Sequence, residues 1–586
     1  MRFVVKLVRV ICQGTVVAIV SLAAVSFAAP PKLTALFPPG AARAQKLTVQ
    51  ATGEFAKWPV EWKSDKPGLT LTSQADKNKI EVNVAADAVP GIYWLRAIDG
   101  EGASSPRPFV VGTVRDIEEV EPNDTVDKGQ ELELPVTING KLGKAGDVDG
   151  FVVKLKAGER LIAAVEGNGI FGSPMDAVLQ VAQLTGGVEG STVPAGGQPA
   201  SPTVSFPRRV EAFVLEQRDD ETGLDPRINF VATREGRYLV RVFAFPSEPN
   251  SSIAMSGGDN YVYRLTVTTG GYVDHTLPLA RSVATPANPL TIVDGGPSLG
   301  TPPLVAELTA LDAEDEGFPA DDRRSTWAFH PSAPGTFVVP WTQHSSVAAS
   351  DESLTPVGQT VTLPVIVSGR LIQARQRATF KFNASKGQAI RLKADARSFG
   401  SALDPYIQVR DSMGKVLAEV DDANNQRDAL LNFMPPADGV YEAVIRDVHL
   451  QGSYRHAYRL TIVPVTPDFA LTVAADAFSL TAGKPLEIPV TIDRRDGFAE
   501  ALDVQVVGLP TGVTQTPAKS EPKGDTAKTV KITLTADPAM LNGVVHGVVR
   551  IVGVSTGANA LKHRATFTVA GSPSPQHDVW LTVIKP

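Results

Sequence analysis

The chain repeats itself at the scale of a whole domain. Pro135-Val-Thr-Ile-Asn-Gly-Lys-Leu142 returns as Pro364-Val-Ile-Val-Ser-Gly-Arg-Leu371. Phe171-Gly-Ser-Pro-Met-Asp-Ala-Val-Leu-Gln-Val181 returns as Phe399-Gly-Ser-Ala-Leu-Asp-Pro-Tyr-Ile-Gln-Val409. These pairs stand 229 and 228 residues apart, whereas Tyr263-Arg-Leu-Thr-Val267 and Tyr458-Arg-Leu-Thr-Ile462 stand only 195 apart. Two copies of one unit are therefore present, and the first carries an insertion of about 33 residues. Gly, Ser, Pro and Thr crowd residues 183–212, which places the insertion there as an exposed loop.

The repeated segments are short, rich in β-branched residues and bounded by turn formers. Phe151-Val-Val-Lys-Leu155, Tyr238-Leu-Val-Arg-Val242 and Thr529-Val-Lys-Ile-Thr-Leu534 share this character, and helical periodicity is scarce. The pattern predicts an all-β protein of tandem β-sandwich or jelly-roll modules, with Ig-like modules at both ends. At roughly 150 residues per domain, 586 residues suggest about four domains. The repeat search refines this to five modules after a leader. They are an N-terminal Ig-like module at 31–113, a first copy at 117–270 and an irregular or small β segment at 271–362. A second copy at 363–465 and a C-terminal Ig-like sandwich at 468–586 follow.

Residues 1–28 read as a secretory signal peptide, with Arg2, Lys6 and Arg9 ahead of a mostly apolar run. Cleavage is expected after Ala28, following Ser26-Phe27-Ala28; the alternative is an uncleaved anchor. No later stretch approaches a membrane span. The single cysteine, Cys12, lies within this leader, so neither a disulfide framework nor a cysteine-ligated metal is available to the mature chain. The formal charge of −7 becomes −10 without the leader's three basic residues. An acidic balance of this kind argues against a nucleic-acid partner. The expected location is secreted, periplasmic or on the cell surface.

An ordered set of motifs carries a family resemblance. Glu121-Pro-Asn-Asp124 is followed by Gly140, Gly146-Asp-Val-Asp-Gly-Phe151 and Gly158. Ser173-Pro-Met-Asp176, Asp219-Asp220, Gly236-Arg-Tyr-Leu-Val-Arg-Val242 and Tyr261-Val-Tyr-Arg-Leu265 complete it. This order resembles the bacterial pre-peptidase C-terminal (PPC) domain family, across the first copy and from Gly369 onward in the second. The layout as a whole resembles large exported proteins of planctomycete bacteria. The resemblance implies a β-sandwich found beside secreted peptidases and in exported proteins that have none.

One acidic cluster stands out: Glu119, Glu121, Asn123 and Asp124, followed by Asp147 and Asp149. Calcium takes six to eight hard oxygen ligands, and carboxylates with an amide carbonyl suit it. In an extended segment Glu119, Glu121 and Asn123 share a face. In collagen-binding relatives of the PPC family the corresponding linker and loop bind calcium. The resemblance therefore implies Ca2+ at Glu119, Glu121, Asn123 and Asp147, with Asp124 and Asp149 as further candidates. The alternative is a capped turn at Asn123-Asp124 with the other acids solvated. In the second copy Ser350-Asp-Glu-Ser353 and Ala374-Arg-Gln-Arg377 replace the acidic motifs, so no equivalent site is expected there.

No catalytic residues are assigned. His-Glu-x-x-His is absent, and the eight histidines form no close pair at metal spacing on a helix. His449 and His456 flank the Gly452 loop, and Asp274-His275 lacks a supporting serine; surface positions are expected for the histidines. Trp58 and Trp62 are either a binding platform or core residues. Asp219-Asp220 and the corresponding Asp421-Asp422 with Asn424-Asn425 read as solvated loops. Asp176 and Asp404 read as acceptors of a shared turn hydrogen bond. The resulting expectation is a non-catalytic binding or scaffolding protein whose partner is an extracellular or cell-surface protein or polysaccharide. Its alternatives are an accessory part of a secreted peptidase system and a polysaccharide hydrolase with unrecognised carboxylates.

Overall fold

The computed structural model describes residues 29–185, 211–221, 223–248, 254–283, 290–294, 307–308, 318–322, 325–422, 427–541, 543–558, 560–569, 572 and 575–585. The proposed leader, most of the first-copy insertion and Asn424-Asn425 lie outside these residues. Among the described residues strands dominate and no helix is long and apolar enough to cross a membrane. The all-β expectation holds.

The two repeat copies have the same sheet order, strand for strand. In the first, one sheet runs Asp116–Glu118, Val136–Lys141, Val262–Thr268, Arg160–Glu166, Arg227–Val231. The opposing sheet runs Gln130–Glu131, Asp149–Leu155, Gly236–Pro246, Met175–Thr185, Glu211–Arg218. In the second copy the corresponding order is Ser345–Ala348, Val365–Arg370, Ala457–Pro464, Ile390–Asp395, Ala429–Phe433. Its partner sheet is Gln359–Thr360, Arg377–Ala384, Gly439–Asp447, Pro405–Asp411, Val416–Val420.

Alternation explains the core between the sheets. Ile138, Phe151, Val153, Val240 and Leu265 fill one sandwich, and Val367, Phe380, Phe382, Ile445 and Leu460 the other. Each such side chain contributes roughly 1.5–3 kcal/mol on burial. The second sandwich begins earlier than residue 363. Ser345–Ala348 and Gln359–Thr360 pair in parallel with Val365–Arg370 and Arg377–Ala384, so both belong to it. These entry strands are too short to show an alternation, and their partners are not sequence neighbours.

The N-terminal module has two facing sheets, with Val49, Trp62, Ile80, Tyr93 and Phe109 between them. Small sheets within 273–339 enclose Val273, Ile292, Ala328, Phe337 and Val339. The last module, from Asp468–Thr472 to Val579–Ile584, has a core of its own. Ile92, Trp94 and Val110 of the N-terminal module join that core, so the first and last modules pack together.

Candidate metal centre

The acidic cluster lies where the chain enters the first repeat sandwich. After Asp116–Glu118, the Glu119 N–H donates to the Asn139 carbonyl at 3.1 Å, which holds the entering segment beside Val136–Lys141. The Glu119 carboxylate turns inward and accepts the Lys141 N–H at 2.8 Å. Tyr263 stands opposite Gly140 in the next strand. A Cβ on Gly140 would collide with the Tyr263 ring and hydroxyl, so glycine at that position makes room for the tyrosine. The buried Tyr263 hydroxyl donates to Asp149 Oδ2 and lies 3.4 Å from Glu119 Oε2.

Two further segments close on this point. Asn123 N–H donates back to Glu121 Oε2 at 3.0 Å, across the cis Glu121-Pro122 peptide. Asp147 ends a tight turn in which Gly143 N–H donates to its Oδ2 at 2.6 Å and Gly146 takes φ +83°. That left-handed conformation favours glycine.

Carboxylate oxygens of Glu119, Glu121 and Asp149 all lie within 4.8 Å of one another, as do those of Glu121, Asp124 and Asp147. Glu121 therefore joins two overlapping groups of acids. Burial pushes Glu119 up to about 7. Burial first, and then the Glu119 charge, push Asp149 up to about 10. Burial also raises Asp147, whereas a hydrogen bond with Asp147 holds Asp124 below its usual range. Lys144 is the nearby cation, 3.3 Å from Asp124 and 3.7 Å from Asp147, on the exposed side.

The buried side is left unsatisfied. Among the described residues Asp149 Oδ1, Asp147 Oδ1 and both amide atoms of the fully buried Asn123 have no hydrogen-bond partner. Unpaired buried polar atoms are costly, and buried carboxylates more so. Hard oxygen donors left partnerless in one place match what a divalent cation of the calcium type requires.

The structure thus brings together all five acids of the predicted set and buries Asn123 beside them. Tyr263 is the member that sequence reasoning missed, although its Tyr-Arg-Leu-Thr repeat was its signal. In the second copy, strand register puts Ala349, Gln376 and Ala378 where the first has Glu119, Asp147 and Asp149. Tyr458 replaces Tyr263, and its buried hydroxyl has no hydrogen-bond partner among the described residues.

Other candidates resolve differently. Among the described residues the side chains of Asp176 and Asp404 accept no turn hydrogen bond, and one oxygen of each is buried without a partner. The turn is held instead by Asp225, which accepts Asn168 and Gly169 N–H, and by Asp428, which accepts Ala396, Arg397 and Ser398 N–H. Asp219 and Asp421 each accept the N–H of the following aspartate at the exposed loop tip. Trp62 is core, and Trp58 packs against Phe55 with its N–H bonded to Gln74 O. His275 and His456 are buried, unlike the surface positions expected, because Asp274 and Ser453 supply their hydrogen bonds. His449 is exposed, 3.4 Å from Asp404, so the two histidines flanking Gly452 have separate partners. Gly296-Pro-Ser-Leu-Gly300 has the spacing of a nucleophile elbow and lies outside the described residues.

No family model matches the chain. A stretch of 63 residues is 43% identical to a probable subtilase-type serine protease of Deinococcus radiodurans, covering 11% of this chain and 8% of that protein. The chain thus matches only a small part of that relative. Among solved structures, the pre-peptidase C-terminal domain of a Bacillus anthracis collagenase is 16% identical, with a TM-score of 0.15, over 18% of this chain and 93% of that one. Fibronectin(III)-like modules of Clostridium thermocellum CbhA are 12% identical, with a TM-score of 0.13, over 39% of this chain and 88% of that one.

Proposed function

We propose that the chain is an exported, non-catalytic binding or scaffolding protein whose first repeat sandwich is clamped by calcium. The observation that carries this reading is the convergence of Glu119, Glu121, Asp124, Asp147 and Asp149 in two overlapping groups that share Glu121, with Asn123 buried in the same segment. Calcium would be held by these side chains. Bound there, it supplies positive charge that neutralises the buried carboxylates and ties the entering segment to the Gly143–Asp147 turn. The sandwich then takes one orientation relative to the module before it, and its partner meets a rigid surface. The partner class is an extracellular or cell-surface protein or polysaccharide.

Thermal unfolding of the full chain with calcium and with chelator tests the clamp. A ligand at a hundredfold over its Kd stabilises by about 2.7 kcal/mol, so the transition containing the first sandwich moves upward with calcium. Superimposable curves overturn the clamp. Retention of the chain on cell-wall, polysaccharide and collagen-like matrices tests the binding role.

A second reading, an accessory to a secreted peptidase, is favoured by the 63-residue match to a protein named as a probable serine protease. Co-purification of a peptidase with the chain supports it, and recovery of the chain alone counts against it.

A further inference from the structure

We infer that the second repeat sandwich carries an oxyanion-binding pocket, built from Arg377, Arg410 and Arg446 and taking a carboxylate or sulfate group. The cavity, about 400 Å³, lies on the outer face of the sheet formed by Arg377–Ala384, Gly439–Asp447 and Pro405–Asp411. Gln408, Val444, Val448 and Leu450 complete its lining.

Strand register builds it. Arg446 stands directly between Arg377 and Tyr406 on the adjoining strands, and Gln408 stands beside Val444. Side chains two residues apart share a face, so Arg410 projects on the same side as Gln408. Arg446 lies 3.8 Å from the Tyr406 ring centroid and donates to the Asp447 carbonyl at 3.0 Å. Both contacts fix the guanidinium on the sheet. Arg410 donates to Gln408 Oε1 at 2.7 Å, while its Nε is buried with no partner among the described residues.

The charge is only partly offset locally. Among the described residues no carboxylate comes within 4.0 Å of Arg377, Arg410 or Arg446. Two acids share this face: Glu442 stands opposite Arg410 in the strand pair and lies 3.9 Å from Lys381, and Glu419 accepts from Gln408 at 2.8 Å and interacts electrostatically with Arg446. Two carboxylates facing three guanidinium groups and Lys381 leave the face net positive. Three guanidinium groups held together repel one another in the absence of an anion. Each presents a planar fork suited to two oxygens of one acid group.

The first copy supplies the internal comparison. Repeat register puts Val148, Ala182 and Phe243 at the positions of Arg377, Arg410 and Arg446. The arginines are thus confined to the copy in which Glu119, Asp147 and Asp149 have become Ala349, Gln376 and Ala378. The two sandwiches share strand order and present opposite charge.

Titration calorimetry on the full chain tests the pocket, with sodium sulfate and sodium citrate as probes at constant ionic strength. Saturable binding is expected, and Arg377→Gln and Arg410→Gln are each expected to weaken it about tenfold, the scale of one charge-assisted hydrogen bond. Lys415→Gln, an exposed charge removed outside the pocket, leaves binding unchanged. Saturation by either anion supports the pocket; the tighter one separates a sulfate from a carboxylate source. Absence of saturation with both anions, or an equal loss in Lys415→Gln, overturns it. Arg377 is exposed, so its variant decides the question even where Arg410→Gln fails to fold.

Discussion

Arg96 and Asp476, 380 residues apart in sequence, form an ion pair at 2.5 Å that joins the first module to the last. The same carboxylate accepts the Ser105 hydroxyl at 3.1 Å, and Arg96 also donates to the Ser104 carbonyl at 2.8 Å. Burial lowers the Arg96 pKa, and Asp476 opposes that shift. Removing one member of a buried pair leaves the other uncompensated, and for this partly buried pair the cost is at most about 3–5 kcal/mol. Asp476→Ala is therefore expected to destabilise the chain by up to that amount in denaturant unfolding. Arg96→Met with Asp476→Ala should recover part of the loss. A double-mutant cycle with no coupling would show the pair to be incidental.

The calcium clamp predicts a graded series. Asp149→Asn retains an acceptor for the Tyr263 hydroxyl yet cannot ionise to ligate a cation, and should abolish the calcium-dependent rise in Tm. Asp124→Asn, on the exposed side beside Lys144, should reduce the rise without removing it. Calorimetric unfolding of both variants with calcium and with chelator separates these outcomes. An undiminished calcium effect in Asp149→Asn would falsify the assignment.

Most of this fold was legible because period-two alternation and a domain-scale repeat are properties of the sequence itself. The acidic cluster was legible because its members fall into two short segments, Glu119–Asp124 and Asp147–Asp149. Tyr263 was not, because it reaches the site through pairing with a strand more than a hundred residues away in sequence. Arg377, Arg410 and Arg446 escaped for the same reason: three separate strands bring them together. Asp225 and Asp428 hold equivalent turns, but neither falls within the stretches whose likeness revealed the repeat. Ser345–Ala348 was missed because a four-residue parallel strand has too few positions to show a period.

Gly140 gives a test of how the cluster is supported. It is one of the residues that mark the repeat, with Gly369 at its counterpart, and each faces a buried tyrosine across the strand pair. Gly140→Ala would drive a methyl group into the Tyr263 ring. Overpacking of this kind typically costs about 1–3 kcal/mol. The displaced hydroxyl would also lose Asp149, so calcium affinity should fall together with stability. Gly369→Ala should lower stability without changing the calcium response. Equal calcium responses in the two variants would separate Tyr263 from the metal centre.

His563 should give the chain an alkaline limit. Its ring bridges Asp322 of the intervening segment and Asp468 of the last module, at 2.9 Å to each. Burial opposes protonation, but hydrogen bonds to the two carboxylates outweigh it and raise the pKa to about 10. In the unfolded chain the same group titrates near 6.5. Between these values the folded state binds more protons than the unfolded one, so stability falls as pH rises. The contribution is complete below about 6.5 and lost as pH passes through about 10. His563→Gln retains hydrogen-bonding capacity without the charge. It should therefore be less stable than the parent at pH 6 and should show a flatter decline toward pH 10. Denaturant midpoints measured at half-unit pH steps test this, and parallel profiles for the two proteins would rule out His563 as the bridge.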